Sequence, residues 1–301
     1  MLENTVLVLA GAGRGIGRGV ATELADAGAT VVVNDLGASL RGEGEDPEPA
    51  AETVAAIEEA GGEATAHVGD VTDVDYAASL VSDAAEAHGR IDGVANFAGI
   101  TRPAPLHEMT AEQWDAVVRV HMRGHFALLK AAASRWTDAE LDRQRSFLCV
   151  SSQSALGHHG YANYSAAKAG VLGLMRTAAD ELYPEGVRVN ALFPSATTRM
   201  SSELSEHPFE TELAPERVAP MVGYLMSTAA TDVTGCTLRA GGEEIGFVSD
   251  PEMRRLAYRT GGWTIGDVAE SFPNEVTRGI DLRRPTTLVG ERYGLEPDPE
   301  A

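Results

Sequence analysis

Tyr164 and Lys168 are four residues apart at the start of a stretch with helical spacing, which puts both side chains on one helix face. A free tyrosine has a pKa of about 10, so only about one in a thousand is ionised at pH 7. A neighbouring ammonium favours the phenolate and lowers that value, turning a phenol into a proton carrier. The chain has just two lysines, Lys130 and Lys168, and one of them sits here. Taken alone, a Tyr-x-x-x-Lys pair reads as a surface pair. Ser151-Ser152, closing the apolar run just before it, changes that reading. Hydroxyls at the carboxyl end of a parallel strand face the crevice where ligands bind. One of the two can hydrogen-bond a substrate carbonyl or alcohol.

A second constellation follows the first apolar run, Thr5 to Ala10. It reads Gly11-Ala12-Gly13-Arg14-Gly15-Ile16-Gly17. Ile16 breaks the G-x-G-x-x-G spacing, so the pattern is G-x-x-x-G-x-G followed by a helix. Gly11 permits a tight turn, Gly15 lets backbone N–H groups reach a pyrophosphate, and Gly17 lets the helix pack close to the strand. Asp35 ends the next β-branched run, 18 residues after Gly17. A carboxylate there accepts the ribose hydroxyls of NAD and repels the extra phosphate of NADP. Arg14 pulls the other way, toward a 2′-phosphate. The position of Asp35 decides for NAD.

These residues need a scaffold that alternates strand and helix, and the sequence supplies one. Strands are expected at 5–10, 30–34, 64–68, 91–96, 146–152, 187–193 and 236–240, with helices up to 28 and at 50–60, 74–88, 112–133, 161–183 and 215–227. Trp114, Val117, Val118, Met122, Phe126 and Leu129 carry the apolar spacing of the long helix. Buried strands separated by helices predict an α/β, Rossmann-type, doubly wound parallel sheet of about seven strands. The alternation stops near 245. Residues 1–245 read as the NAD-binding domain, and 246–301 as a C-terminal extension that covers an edge, closes a site or meets another subunit. The closing Glu-Pro-Asp-Pro-Glu-Ala reads as a mobile tail.

Composition narrows the partners. Among 301 residues, 24 are basic and 45 acidic, a net charge of −21. Such a surface repels nucleic-acid phosphates and anionic lipid. It suits either a high-salt environment or a codon bias with a solvated acidic face. Cys149 and Cys236 are too few for a disulfide framework and fit a reducing, cytoplasmic setting. The apolar start is preceded by Glu3 and reads as a strand, not a signal peptide. His158-His159 reads as a solvated loop pair with no metal-ligand spacing, and Trp114, Trp136 and Trp263 as packing or interface residues.

Together these residues resemble the short-chain dehydrogenase/reductase superfamily over about residues 5–245. The resemblance is carried by the glycine turn, Gly69-Asp70-Val71, Asn96-Phe97-Ala98-Gly99, the Ser and Tyr164-x-x-x-Lys168 set, and Val189-Asn190-Ala191 with Pro194. Asn34 to Gly37, Val120 to Gly124, Pro194 to Ser201 and Glu216 to Pro220 are similar to one branch. That branch holds the (3R)-hydroxyacyl-CoA dehydrogenase domain of peroxisomal multifunctional enzyme type 2. The resemblance implies that Asp70 and Val71 contact adenine, and that Asn96, Ala98 and Gly99 line the cofactor cleft. Pro194, Thr197 and Thr198 lie at the nicotinamide end. Tyr164 is then the general acid/base, Lys168 its tuner and ribose anchor, and a serine the substrate orienter. The strand pattern aligns Ser152 with that serine, while the usual gap to the tyrosine points to Ser151. Where the family carries a tetrad Asn, this chain has His121, and Phe97 replaces a second Asn. His121 reads either as a substituted proton-relay anchor or as a packed histidine bonding a carbonyl.

The implied activity is an NAD-dependent oxidoreductase of lipid metabolism, interconverting a 3-hydroxyacyl-CoA and its ketone, as a homodimer or homotetramer. A hydroxysteroid or other secondary alcohol, or 3-oxoacyl reduction, is the next substrate reading. A regulator that binds NAD without turnover is the reading from another class. Acyl-CoA phosphates would need a local basic patch, for which Arg102, Arg199 and Arg254-Arg255 are the candidates.

Overall fold

Short runs form the strands of one sheet, buried on both faces at its centre and largely exposed at its two edges. They are β1 Val6–Ala10, β2 Thr30–Asp35, β3 Glu63–Val68, β4 Gly93–Asn96, β5 Arg145–Val150, β6 Val187–Pro194, β7 Thr237–Gly241 and β8 Glu244–Val248. The computed structural model describes residues 2–137, 143–200, 213–249, 251 and 255–278. The sheet order is β3-β2-β1-β4-β5-β6-β7-β8. Strands β1 to β7 run parallel and β8 returns antiparallel on β7. The chain thus departs from β1 in both directions, and that switch point leaves a crevice at the carboxyl ends of the strands.

Successive side chains of β1 serve opposite cores. Leu7 and Leu9 join α1 Gly15–Asp26, α2 Glu48–Glu59 and α7 Ala219–Met226. Val8 and Ala10 join α3 Val74–His88, α5 Gly124–Thr137 and α6 Ala162–Leu182 on the other face. Local signals set the helix ends. Asp73 caps α3 by accepting the N–H groups of Asp75 and Tyr76, and Gly89 closes it at φ 76°.

The single long helix expected at 112–133 is instead two. α4 Ala111–Val118 and α5 are joined by a π turn, Arg119–Arg123, a local widening frequent at functional sites. Its apolar stripe also differs from the expected one. Trp114, Met122 and Phe126 face outward at 39%, 38% and 46% exposure, while Val117, Leu128, Ala132 and Trp136 are buried. The widened turn shifts the helical phase for Met122 and Phe126, whereas Trp114 precedes it and lies off the buried face of α4 that Val117 marks. The eighth strand was also unforeseen. It is a hairpin return after the turn at Gly242, not a βαβ unit, and it spans the boundary drawn at 245.

Residues 1–248 form one compact unit and 249–301 another. Within the second, Thr264 and Asp267 cap α8 Ile265–Ser271 reciprocally, and Asp267 also pairs with Arg259 at 3.0 Å. The tail from 279 onward lies outside the described residues. Among described residues, no helix is long and apolar enough to cross a membrane. Phe147, fully buried on the central strand β5, gives a direct test of the core. Phe147→Ala is expected to lower unfolding free energy by about 3–5 kcal/mol in urea titration.

Candidate active site

A cavity of about 430 Å³ opens at the switch point, within the range of small-molecule sites. Gly11, Gly15 and Gly17 border it at one end, and Tyr164 and Lys168 at the other. Gly11 has φ 69°, and a Cβ there would lie 2.3 Å from the Ala98 nitrogen, so no other residue fits the turn. A Cβ at Gly17 would sit 2.1 Å from the Gly11 carbonyl oxygen. The N-terminus of α1, twelve residues long, has no side-chain cap and no acidic residue in its first turn. Its free N–H groups and positive end suit a pyrophosphate.

Asp35 closes β2 with both carboxylate oxygens engaged. Oδ2 accepts the Gly13 N–H at 2.8 Å and Oδ1 the Gly37 N–H at 2.7 Å. The carboxylate lines the cavity; Gly13 does not, and instead fixes the carboxylate from behind. Arg14 turns away from it, toward the carbonyls of Gly37 and Ala38 and the Asp46 carboxylate at 3.5 Å. The cavity therefore presents a negative charge where a second ribose would lie, and the nearby guanidinium is already paired. This donor and acceptor set fits a nicotinamide dinucleotide.

The loop after β2 crosses to the segment after β4. Leu36, Ala38, Ser39, Leu40 and Gly42 line the cavity. The Thr101 N–H donates to the Leu40 carbonyl, Arg41 Nη1 to the Thr101 carbonyl, and Arg102 Nε to the Arg41 carbonyl. The sequence reading did not anticipate this bridge.

Asp70, Val71, Ala98, Gly99, Ile16, Pro194, Thr198, His121 and Ser151 also border the cavity. Asp70 pairs with Arg119 at 2.8 Å. Asn96 sits behind the wall, fully buried, its Oδ1 accepting the Ala98 N–H. Thr197 is likewise absent from the lining. Its hydroxyl accepts the Leu213 N–H at 2.9 Å. Arg102 and Arg199 reach the cavity. Arg254 lies outside the described residues, and Arg255 donates to the Arg278 carbonyl within the second unit. His158 meets Ser154 Oγ at 3.2 Å and stacks edge-on with Tyr161. Among described residues no group could hold a metal ion.

The two serines part company. Ser151 is buried and its hydroxyl donates to the Lys168 carbonyl at 2.8 Å. Ser152 does not border the cavity; its hydroxyl accepts the Ser154 N–H at 3.1 Å and is near enough to the Tyr164 phenol to lower its pKa. Tyr164 and Lys168 lie on α6 with the Lys168 Nζ 5.6 Å from the phenol ring centre, and Nζ donates to the Val150 carbonyl at 2.6 Å. His121 packs edge-on against the Tyr164 ring at 4.9 Å, with its Nε2 2.9 Å from the Ile100 carbonyl.

Burial dominates the electrostatics. It pushes the Tyr164 phenol up to about 12, with the Ser152 hydrogen bond acting in the opposite sense. It draws Lys168 down to about 7 and holds both His121 and His125 below the usual imidazole range. The expected lowering of the phenol by Lys168 is therefore not met. The loss of hydration outweighs a cation whose own charge is penalised by the same burial. Unfolded, Lys168 keeps its proton to about pH 10.4; folded, it releases it near 7. The unfolded chain thus binds more protons in between, and stability rises with pH through that window. Unfolding midpoints between pH 7 and 9 are expected to climb in the native chain. They should stay flat in Lys168→Met.

Comparisons with known proteins agree with this geometry. A family model described as Enoyl-(Acyl carrier protein) reductase matches residues 11–242. Hydroxyacyl-CoA dehydrogenase ChsB1 of Mycobacterium tuberculosis is 38% identical over 266 residues, covering 84% of this chain and 82% of that one. Peroxisomal multifunctional enzyme type 2 of Mus musculus is 38% identical over 224 residues, 74% of this chain but only 30% of that protein. A short-chain dehydrogenase from Mycobacterium paratuberculosis, crystallised with NAD, superposes with a TM-score of 0.71 at 28% identity, covering 79% of this chain and 96% of that one. With its switch-point cavity, glycine turn and Tyr-x-x-x-Lys helix, the chain belongs to the short-chain dehydrogenase/reductase family, oxidoreductases acting on CH–OH groups.

Proposed function

We propose that this enzyme uses NAD to interconvert a secondary alcohol and a ketone, with a 3-hydroxyacyl-CoA as the substrate class. The observation that carries the reading is the Tyr164 phenol on the cavity wall, with the Lys168 Nζ 5.6 Å from its ring centre. A nicotinamide dinucleotide, when bound, supplies the hydride exchange. Proton transfer falls to Tyr164. Protonated at neutral pH, it donates to the carbonyl oxygen in the reducing direction; in the oxidising direction it first gives its proton to solvent, and the phenolate then takes the hydroxyl proton. Ser152 offers a hydroxyl to the same substrate oxygen, where negative charge develops. Lys168, with its pKa near 7, supplies charge beside the phenol and a donor for a ribose hydroxyl. Ser151, committed to the Lys168 carbonyl, supports that helix.

NAD over NADP rests on Asp35 at the end of β2 and on the pairing of Arg14 with Asp46. The substrate class is supported by the hydroxyacyl-CoA dehydrogenase relative. Arg102 and Arg199 are two of the cavity-lining cations, with Arg14, Arg119 and Lys168, that acyl-CoA phosphates would meet. The outward apolar residues Trp114, Met122 and Phe126 favour a closed homo-oligomer.

NADH absorbance over panels of 3-hydroxyacyl-CoA, hydroxysteroid and small alcohols, at low and high salt, tests the substrate class. A turnover preference for steroids or small alcohols would replace it. Tyr164→Phe is expected to cut alcohol-dependent NADH formation by about a hundredfold or more while NADH still binds by fluorescence. An undiminished rate would remove the catalytic role of the phenol. Asp35→Ala should lower the NAD:NADP ratio of kcat/KM by about tenfold or more, and an unchanged ratio would sink the cofactor assignment.

A further inference from the structure

Val150 ends β5 where its neighbour has run out. β4 stops at Asn96, which pairs with Cys149. The next N–H, of Ser151, turns to β6 and donates to the Leu192 carbonyl at 2.9 Å. Backbone groups alternate sides along a strand, so the N–H and C=O of Val150 both face the gap beyond β4. Buried backbone groups require partners, and here two side chains provide them. Lys168 Nζ donates to the Val150 carbonyl at 2.6 Å, and the Val150 N–H donates to His125 Nε2 at 3.1 Å.

His125 is fully buried. Its other nitrogen, Nδ1, lies 2.6 Å from the His121 carbonyl oxygen. A carbonyl only accepts and an N–H only donates, so the ring is neutral with its proton on Nδ1. The Asn96 amide nitrogen also approaches Nδ1, at 3.2 Å. That amide cannot turn its oxygen toward the ring, because the oxygen holds the Ala98 N–H. His121, at the near end of this bridge, packs edge-on against Tyr164. A single imidazole thus joins the turn that backs the phenol to the peptide that anchors the amine.

We propose that His125 is a positioning residue, setting Lys168 relative to Tyr164 by joining the His121 carbonyl to the Val150 N–H. The proposal rests on the roles given to Tyr164 and Lys168 above. His125 does not border the cavity, so it acts through these neighbours. The titratable groups around the junction are Lys168 and Tyr164 of α6, Cys149 of β5 and His121 of the π turn. Histidine suits the place because it spans both partners. An Asn amide nitrogen falls where Nδ1 lies, and a Gln amide oxygen falls where Nε2 lies; neither reaches both.

The full chain is assayed with NAD and the best alcohol of the screen, as the native form and as His125→Asn, His125→Gln and His125→Phe. All three are expected to lose kcat by about tenfold to a hundredfold, with KM for the alcohol little changed. His125→Gln, which keeps the bond to Val150, should retain more than His125→Asn. The limb of the kcat–pH profile set by Lys168 and Tyr164 should move by about one unit. A folded variant with native kcat and pH profile would overturn the proposal. If no variant folds, the native chain still decides through nitrogen NMR of labelled histidine. One imidazole, tied to the Val150 N–H by a nuclear Overhauser contact, should keep its proton on Nδ1 at pH 6; a proton on Nε2 there refutes the bridge. Tyr164→Phe and Lys168→Met in the same assay separate the two levels. If they retain activity, the catalytic reading falls and the proposal with it. If they lose activity while the His125 variants keep theirs, the positioning role alone falls.

Discussion

At the carboxyl edge of the sheet, β4 ends at Asn96 while β5 continues to Val150. The two backbone groups left facing that gap are the constraint from which the site is built. In a regular sheet a neighbouring strand would satisfy them. Here one is held by Lys168 and the other by His125. The lysine head is thereby fixed at 2.6 Å from a carbonyl, on the same helix face as the phenol. A missing strand residue thus becomes a pair of side-chain anchors, and the crevice opens where backbone pairing stops.

Around that junction nearly every titratable group is held neutral or close to it. Tyr164 keeps its proton, the imidazoles of His121 and His125 resist gaining one, and the Cys149 thiol is pushed up to about 12. The contrast with the rest of the chain is sharp, since the net charge is −21. The acidic residues remain largely on the surface, where water and salt screen them. Asp35 is the carboxylate that ends a strand at the cavity, and two backbone N–H groups steady it.

Much of this was legible in the residue order. The glycine turn, the strand-ending Asp35 and the Tyr164–Lys168 spacing are local patterns, and local patterns survive into the fold. The alternation of strands and helices followed from period and from glycine stops such as Gly89. Several features were not legible, each for a physical reason. The choice between Ser151 and Ser152 depends on which way a strand end faces. The direction of the Tyr164 shift depends on burial, which spacing does not reveal. Thr197 was placed at the nicotinamide end by resemblance, and the bond of its hydroxyl to the Leu213 N–H, 16 residues on, has no local pattern to announce it. His125 drew no attention because its partners come from β5 and the π turn. The one available hint was its spacing of four residues from His121 on the buried side of a helix.

The bridge between the loop after β2 and the segment after β4 is made largely by main-chain carbonyls, those of Leu40, Arg41 and Thr101. Two of the three donors are side chains, Arg41 Nη1 and Arg102 Nε. The aperture over the crevice should therefore depend on those two arginines as well as on loop length. One added or deleted residue would shift every carbonyl out of register at once. Divergence at this rim would then be recorded in loop length and in these two arginines together, while the remaining side chains of the loop drift more freely.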